Sequence, residues 1–155
     1  MKKIQKQQKG FTIIEVLIVL AIAGLIMLIV FLAVPALQRN SRNTQRKNDV
    51  SALLGAVNEW TSNHSGSLPG TGDVDAIIAA AKPGYYADSG TSQGNITITT
   101  NTSSTIGTDA ADDRVIIVEG AKCDGSDATD GSARQIAVLY QIETAGDPTP
   151  TCQDS

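Results

Sequence analysis

The sequence predicts an α+β fold: a long N-terminal helix, half membrane-spanning and half amphipathic, packed on a small antiparallel β-sheet head with a C-terminal disulfide loop. Three observations predict it. Val16–Leu37 contains no charged side chain and has the length of the roughly 20 apolar residues that cross a bilayer core. Apolar residues at spacings of three and four then continue the helix to Trp60. Beyond it, β-branched segments alternate with clusters of Gly, Asp and Ser.

The chain divides accordingly. Residues 1–10 form a polar leader in which Lys2, Lys3, Lys6 and Lys9 stand without an acid. Residues 11–60 form the helix, 11–37 for the membrane and 38–60 for the amphipathic half, and residues 61–155 form a globular head outside the membrane. The net charge of −4 over 155 residues hides an uneven distribution. Arg39, Arg42, Arg46 and Lys47 follow the apolar run, and from Asp49 onward acids greatly outnumber bases. An acidic head stays soluble and repels nucleic acid and anionic lipid. The acid-free leader is the better cytoplasmic end, which places the head outside. A removed secretory signal fits poorly. Its apolar core is short and ends at an Ala-x-Ala site, whereas this run is long, begins beside Glu15 and ends in Val34-Pro35-Ala36.

Thr12-Ile13-Ile14-Glu15 has the S/T-x-x-E spacing of a capping box, with Phe11 and Val16 placed as a hydrophobic staple. A helix start also favours the carboxylate through the macrodipole. The helix from Phe11 to Trp60 is then about 75 Å long at 1.5 Å per residue, more than a bilayer requires. Its second half carries Leu37, Val50, Leu53, Leu54, Val57 and Trp60 as one apolar stripe for the head to cover. Gly24 lowers helix propensity and Pro35 removes a backbone donor, so the helix is expected to bend or open between them.

In the head, Thr61–Gly72 reads as a polar loop. Asp73–Lys82 reads as a short helix, capped by Asp73 and stopped by Pro83-Gly84. Asn95–Thr100, Arg114–Glu119 and Arg134–Ile142 are the strand candidates. An antiparallel sheet laid on the striped half of the helix buries both apolar faces. Cys123 and Cys152, the two cysteines of an exported head, are expected to pair.

Other motifs admit plain readings beside functional ones. Asp124, Asp127 and Asp130 with Gly131 suggest calcium, but the spacing is not that of an EF-hand, and solvated turn residues account for them better. Leu68-Pro69-Gly70-Thr71-Gly72 matches the LPxTG pattern of sortase substrates without the apolar stretch and basic tail such signals need, and reads as a loop. Arg39, Arg42, Arg46 and Lys47 suit a solvated helix face first, lipid headgroups or acidic heads of other subunits next, and a DNA stripe last, because the chain is acidic. Asn63, Asn95 and Asn101 open N-x-S/T sequons. With one histidine, His64, and no P-loop, HExxH or triad, the sequence offers no catalytic residues, metal site or cofactor.

Lys9-Gly10-Phe11-Thr12-Ile13-Ile14-Glu15-Val16-Leu17-Ile18-Val19-Leu20-Ala21-Ile22-Ala23-Gly24 resembles the class III signal and N-terminal helix of type IV pilins and their pseudopilin relatives. The resemblance covers about 45 residues closely and the head only in outline. It implies that a prepilin peptidase of the membrane cuts after Gly10 and methylates the new amine on Phe11. It further implies that Glu15 faces the Phe11 ammonium of a neighbouring subunit in a homo-oligomeric helical filament. A charged group in a bilayer is costly, and pairing in a dry filament core relieves that cost. The assembly platform and its ATPase machinery are implied partners, as is the cytoplasmic membrane before assembly. The Cys123–Cys152 segment is similar to the disulfide-bounded loop of many type IV pilins, and some secretion pseudopilins bind calcium. In one place the chain departs from the pattern: many members carry the helix-distorting proline three residues earlier than Pro35.

The functional expectation is a major pilin whose filament serves surface attachment or motility, present in the membrane before assembly and outside the cell after it. A pseudopilin or minor pilin of a type II secretion or DNA-uptake system is the alternative within the family, and with it DNA as a partner. A monomeric membrane-anchored binding domain, with Glu15 only a helix cap, is the alternative outside it.

Overall fold

The structure, a computed structural model, describes residues 10–86, 95–106 and 113–155. The leader lysines Lys2, Lys3, Lys6 and Lys9 lie outside the described residues. The chain forms two compact units, Met1–Leu37 and Gln38–Ser155. Helix α1, Ile13–Asn63, supplies residues to both.

In the first unit α1 remains helical through Gly24 and Pro35. Every large apolar side chain from Phe11 to Leu37 is at least 40% exposed. Leu37, expected on the packed stripe, is 66% exposed and belongs to this unit. No apolar side chain follows it at helical spacing until Val50, because Gln38–Asp49 is polar throughout.

In the second unit α1 buries Val50, Leu53, Leu54, Ala56 and Val57. A 3-10 turn, Thr71–Asp73, leads into α2, Val74–Ala81. Asp73 occupies the cap position, but its carboxylate accepts from Gly70 N–H at 2.8 Å rather than from the helix. Helix α2 ends at Lys82 in the left-handed conformation (φ +49°), with Lys82 N–H donating to the Ile78 carbonyl at 2.8 Å.

Six strands follow: β1 Ile96–Thr99, β2 Val115–Glu119, β3 Ala121–Asp124, β4 Asp127–Asp130, β5 Ile136–Ile142 and β6 Thr149–Asp154. The main sheet has the order β1-β2-β5-β6, and β3-β4 is a separate hairpin. All ladders are antiparallel except β1–β2, which is parallel. The three strands expected from sequence form β1, β2 and β5. Strands β3, β4 and β6 were hidden because their sequences are polar, and Pro150 sits in β6, where an edge strand tolerates it.

The sheet is buried on both faces. Val115, Ile117, Ile136, Val138 and Tyr140 pack with α1, and Ile96 and Ile98 join them. On the other face Ile116, Val118, Ala137 and Leu139 pack with Ala121 and Ala128 of the hairpin. Burial on both sides explains why β2 and β5 read as continuous apolar runs rather than alternating ones. The hairpin turns through Gly125 at φ +67°. Gly131 allows close approach: a Cβ there would lie 2.8 Å from the Ala121 carbonyl carbon.

Candidate assembly site

Thr12 immediately precedes α1, and its carbonyl accepts the first helical bond, from Val16 N–H at 3.4 Å. The capping box expected from sequence is formed. Thr12 N–H and Thr12 Oγ1 each donate to Glu15 Oε2 at 2.7 Å, and Glu15 N–H reaches Thr12 Oγ1 at 3.4 Å. Phe11 is 90% exposed just before this cap. With Val16, Val19 and Leu20 it lines a shallow apolar hollow whose one polar lining residue is Glu15. A Cβ at Gly10 would meet nothing within 4 Å, so the chain's own packing does not require glycine there.

The basic cluster after the apolar run was expected first as a solvated face, and here the structure corrects that expectation. Arg46 is buried. Its guanidinium lies 4.6 Å from the Tyr85 ring centroid, donates to the Tyr85 hydroxyl, and pairs with Asp113 at 3.1 Å and Glu143 at 3.2 Å. Arg42 Nε donates to Glu143 Oε1 at 2.8 Å, and Arg42 Nη2 completes a two-pronged contact with Oε2. The cluster turns inward because the acids it needs lie within the same unit. Arg39 and Lys47 stay outside this set of hydrogen bonds.

Two further residues of this helical stretch were missed. Asn43 pairs its side-chain amide with the backbone of Glu143. Asp49, buried, accepts from the N–H groups of Gly84 at 3.0 Å, Tyr85 at 2.7 Å and Tyr86 at 3.2 Å. An acid one position before Val50 in an apolar stripe was the available signal, since a buried carboxylate requires donors.

Electrostatics follow from these contacts. Hydrogen bonding from Arg42 holds the Glu143 carboxyl below the usual glutamate range. Burial works against the charge of Arg46, but the Tyr85 hydroxyl and Asp113 more than offset it and raise its pKa. Burial, aided by Asp113, pushes the Tyr85 hydroxyl up, and burial pushes Tyr86 far above the usual phenol range. Burial also raises Glu119, with Asp73 adding to it.

The remaining motifs are absorbed by the fold. Cys123 and Cys152 form the disulfide, joining β3 to β6 with Cα atoms 5.7 Å apart. Asp124 and Asp127 face each other across the hairpin, and Asp130 accepts from the Thr102 hydroxyl at 2.9 Å. Among the described residues no three His, Cys, Asp or Glu side chains are grouped to hold a metal. Leu68 packs on the core and Pro69 is fully buried, so the sortase-like pentapeptide is part of the packed head. His64 stacks on Trp60 at 3.8 Å. Asn63 ends α1 exposed, Asn95 precedes β1, and Asn101 turns its loop by accepting from Ser103 N–H at 3.0 Å.

Comparison with known proteins gives the same assignment from outside the structure. Residues 5–31 match the prokaryotic N-terminal methylation motif. Fimbrial protein EcpC of Eikenella corrodens is 31% identical over 156 residues, an alignment covering 96% of this chain and 99% of that protein. No solved structure matches. An exposed apolar helix behind a capped glutamate, a methylation motif across that junction, an α+β head closed by a disulfide and a full-length fimbrial relative converge on one conclusion: the chain belongs to the type IV pilin family.

Proposed function

We propose that the chain is a major pilin, cleaved between Gly10 and Phe11 by a prepilin peptidase, methylated on Phe11, and polymerised through its apolar helix into a surface filament for attachment or motility. The observation that carries this reading is the helix from Ile13 to Leu37, apolar and exposed on all sides. Lipid can cover such a surface in a single subunit and other copies of the same helix can cover it in a polymer. The Glu15 carboxylate at its start supplies the polar contact, taken up by the Phe11 ammonium of a neighbour, that sets the register between copies. The assembly platform and its ATPase move the subunit from membrane to filament, and the head stays outside. Among the alternatives, DNA uptake draws less support, because Arg42 and Arg46 are engaged by Glu143 and Asp113 within the head.

The test is to shear surface filaments from cells carrying the wild-type chain or Glu15→Ala. A major pilin dominates the sheared wild-type material and begins at methylated Phe11. Glu15→Ala is expected to leave a folded, processed subunit in the membrane and no filaments. A chain that retains Met1, or that is a trace component of the filaments, would overturn the major-pilin reading.

A further inference from the structure

Cap and subunit contact make separate demands on the Glu15 carboxylate, and the structure divides its oxygens between them. Both Thr12 donors fall on Oε2, each at 2.7 Å. Oε1 has no hydrogen-bond partner among the described residues. The surrounding hollow, lined by Phe11, Val16, Val19 and Leu20, brings no second polar side chain to the carboxylate. A side chain held by two donors has already lost much of its rotamer freedom, so a partner arriving later loses less affinity to ordering it.

We propose that Thr12 is a positioning residue for subunit assembly, fixing Glu15 Oε2 so that Oε1 is presented to the amine of a second copy of this chain. The inference rests on the reading of Phe11 and Glu15 given under Proposed function. It assigns the cap a purpose beyond starting a helix. The backbone N–H is available whatever residue stands at position 12, so only the hydroxyl depends on the side chain. In the apolar surroundings of a bilayer or a filament core no water replaces a lost donor. Thr12→Val, close to isosteric, removes the hydroxyl, and Thr12→Ser keeps it.

The experiment compares Thr12→Val, Thr12→Ala, Thr12→Ser and Glu15→Ala in the full chain in cells. It reads the ratio of sheared-filament subunit to membrane pool, the N-terminal sequence of both pools, and the helicity of the detergent-extracted subunit. Thr12→Val and Thr12→Ala are expected to be processed at Phe11 and to remain helical, while the filament-to-membrane ratio falls about tenfold, the scale set by one hydrogen bond to a charged group. Thr12→Ser is expected to restore the wild-type ratio. Wild-type assembly by processed Thr12→Val, or a Thr12→Ser ratio as low as that of Thr12→Val, would overturn the role of the hydroxyl. If one of the two hydroxyl-less variants is left uncleaved, the other decides. Normal filaments from Glu15→Ala would instead remove the underlying pairing, so the two failures are distinguishable.

Discussion

Asn43 and Glu143 are joined amide to backbone in both directions: Asn43 Nδ2 donates to the Glu143 carbonyl, and Glu143 N–H donates to Asn43 Oδ1, each at 2.7 Å. A side chain of α1 thus serves the residue after β5 as a neighbouring strand would. Asn43→Ala leaves both backbone groups unpaired in a partly buried place. The variant is expected to lose about 1–3 kcal/mol of stability, measured by denaturant unfolding of the detergent-solubilised chain.

The same residue gives the head an acid limit. Arg42 holds the Glu143 carboxyl below its ordinary range, so in acid the unfolded chain binds more protons than the folded one. The resulting stability is fully present above about pH 4.3, the ordinary glutamate value. It is lost as pH falls through the lowered native value. Unfolding midpoints of Glu143→Gln are expected to be lower than wild type at neutral pH and to converge with it below roughly pH 4.

The adjacent tyrosines are expected to respond oppositely to losing their hydroxyls. The buried Tyr86 hydroxyl has no partner among the described residues, whereas the Tyr85 hydroxyl accepts from Arg46. Tyr86→Phe is expected to leave stability unchanged or raise it by about 1 kcal/mol, and Tyr85→Phe to lower it. Burial raises the Tyr86 pKa, so its share of stability holds below about pH 10 and fades as pH rises toward the native value. Thermal melts of Tyr86→Phe from neutral to alkaline pH are expected to show a shallower alkaline loss.

Reduction should separate β3 from β6. The Cys123–Cys152 bond closes a loop with a sequence separation of 29, for which chain entropy gives about 3–4 kcal/mol. Cys152→Ser, or wild type in reductant, is expected to unfold at lower denaturant by that amount, with no change in membrane insertion.

Residues that meet near neighbours or follow a simple period were legible in the sequence. Val50, Leu53, Leu54 and Val57 repeat at helical spacing and form the core face of α1. Val115–Val118 and Ile136–Tyr140 are apolar without alternation, and both prove buried on two sides. The Thr12–Glu15 cap is local and formed as read. The polar seam was not legible, because the partners of Arg42, Asn43 and Arg46 lie 95 to 101 residues away and no local pattern announces them. Strand β6 was missed for a related reason: Thr149–Asp154 has little β propensity of its own and is held by pairing with β5 and by the disulfide.

The point on α1 where one compact unit gives way to the other also has a practical meaning. Arg42, Asn43, Arg46, Asp49 and the buried stripe that follows all lie after Gln38, and the exposed apolar residues all lie before it. One helix therefore carries two interchangeable cassettes. A splice between Leu37 and Gln38 passes the whole polymer-forming segment to a foreign head, or the whole head to a foreign shaft, without dividing either set of contacts.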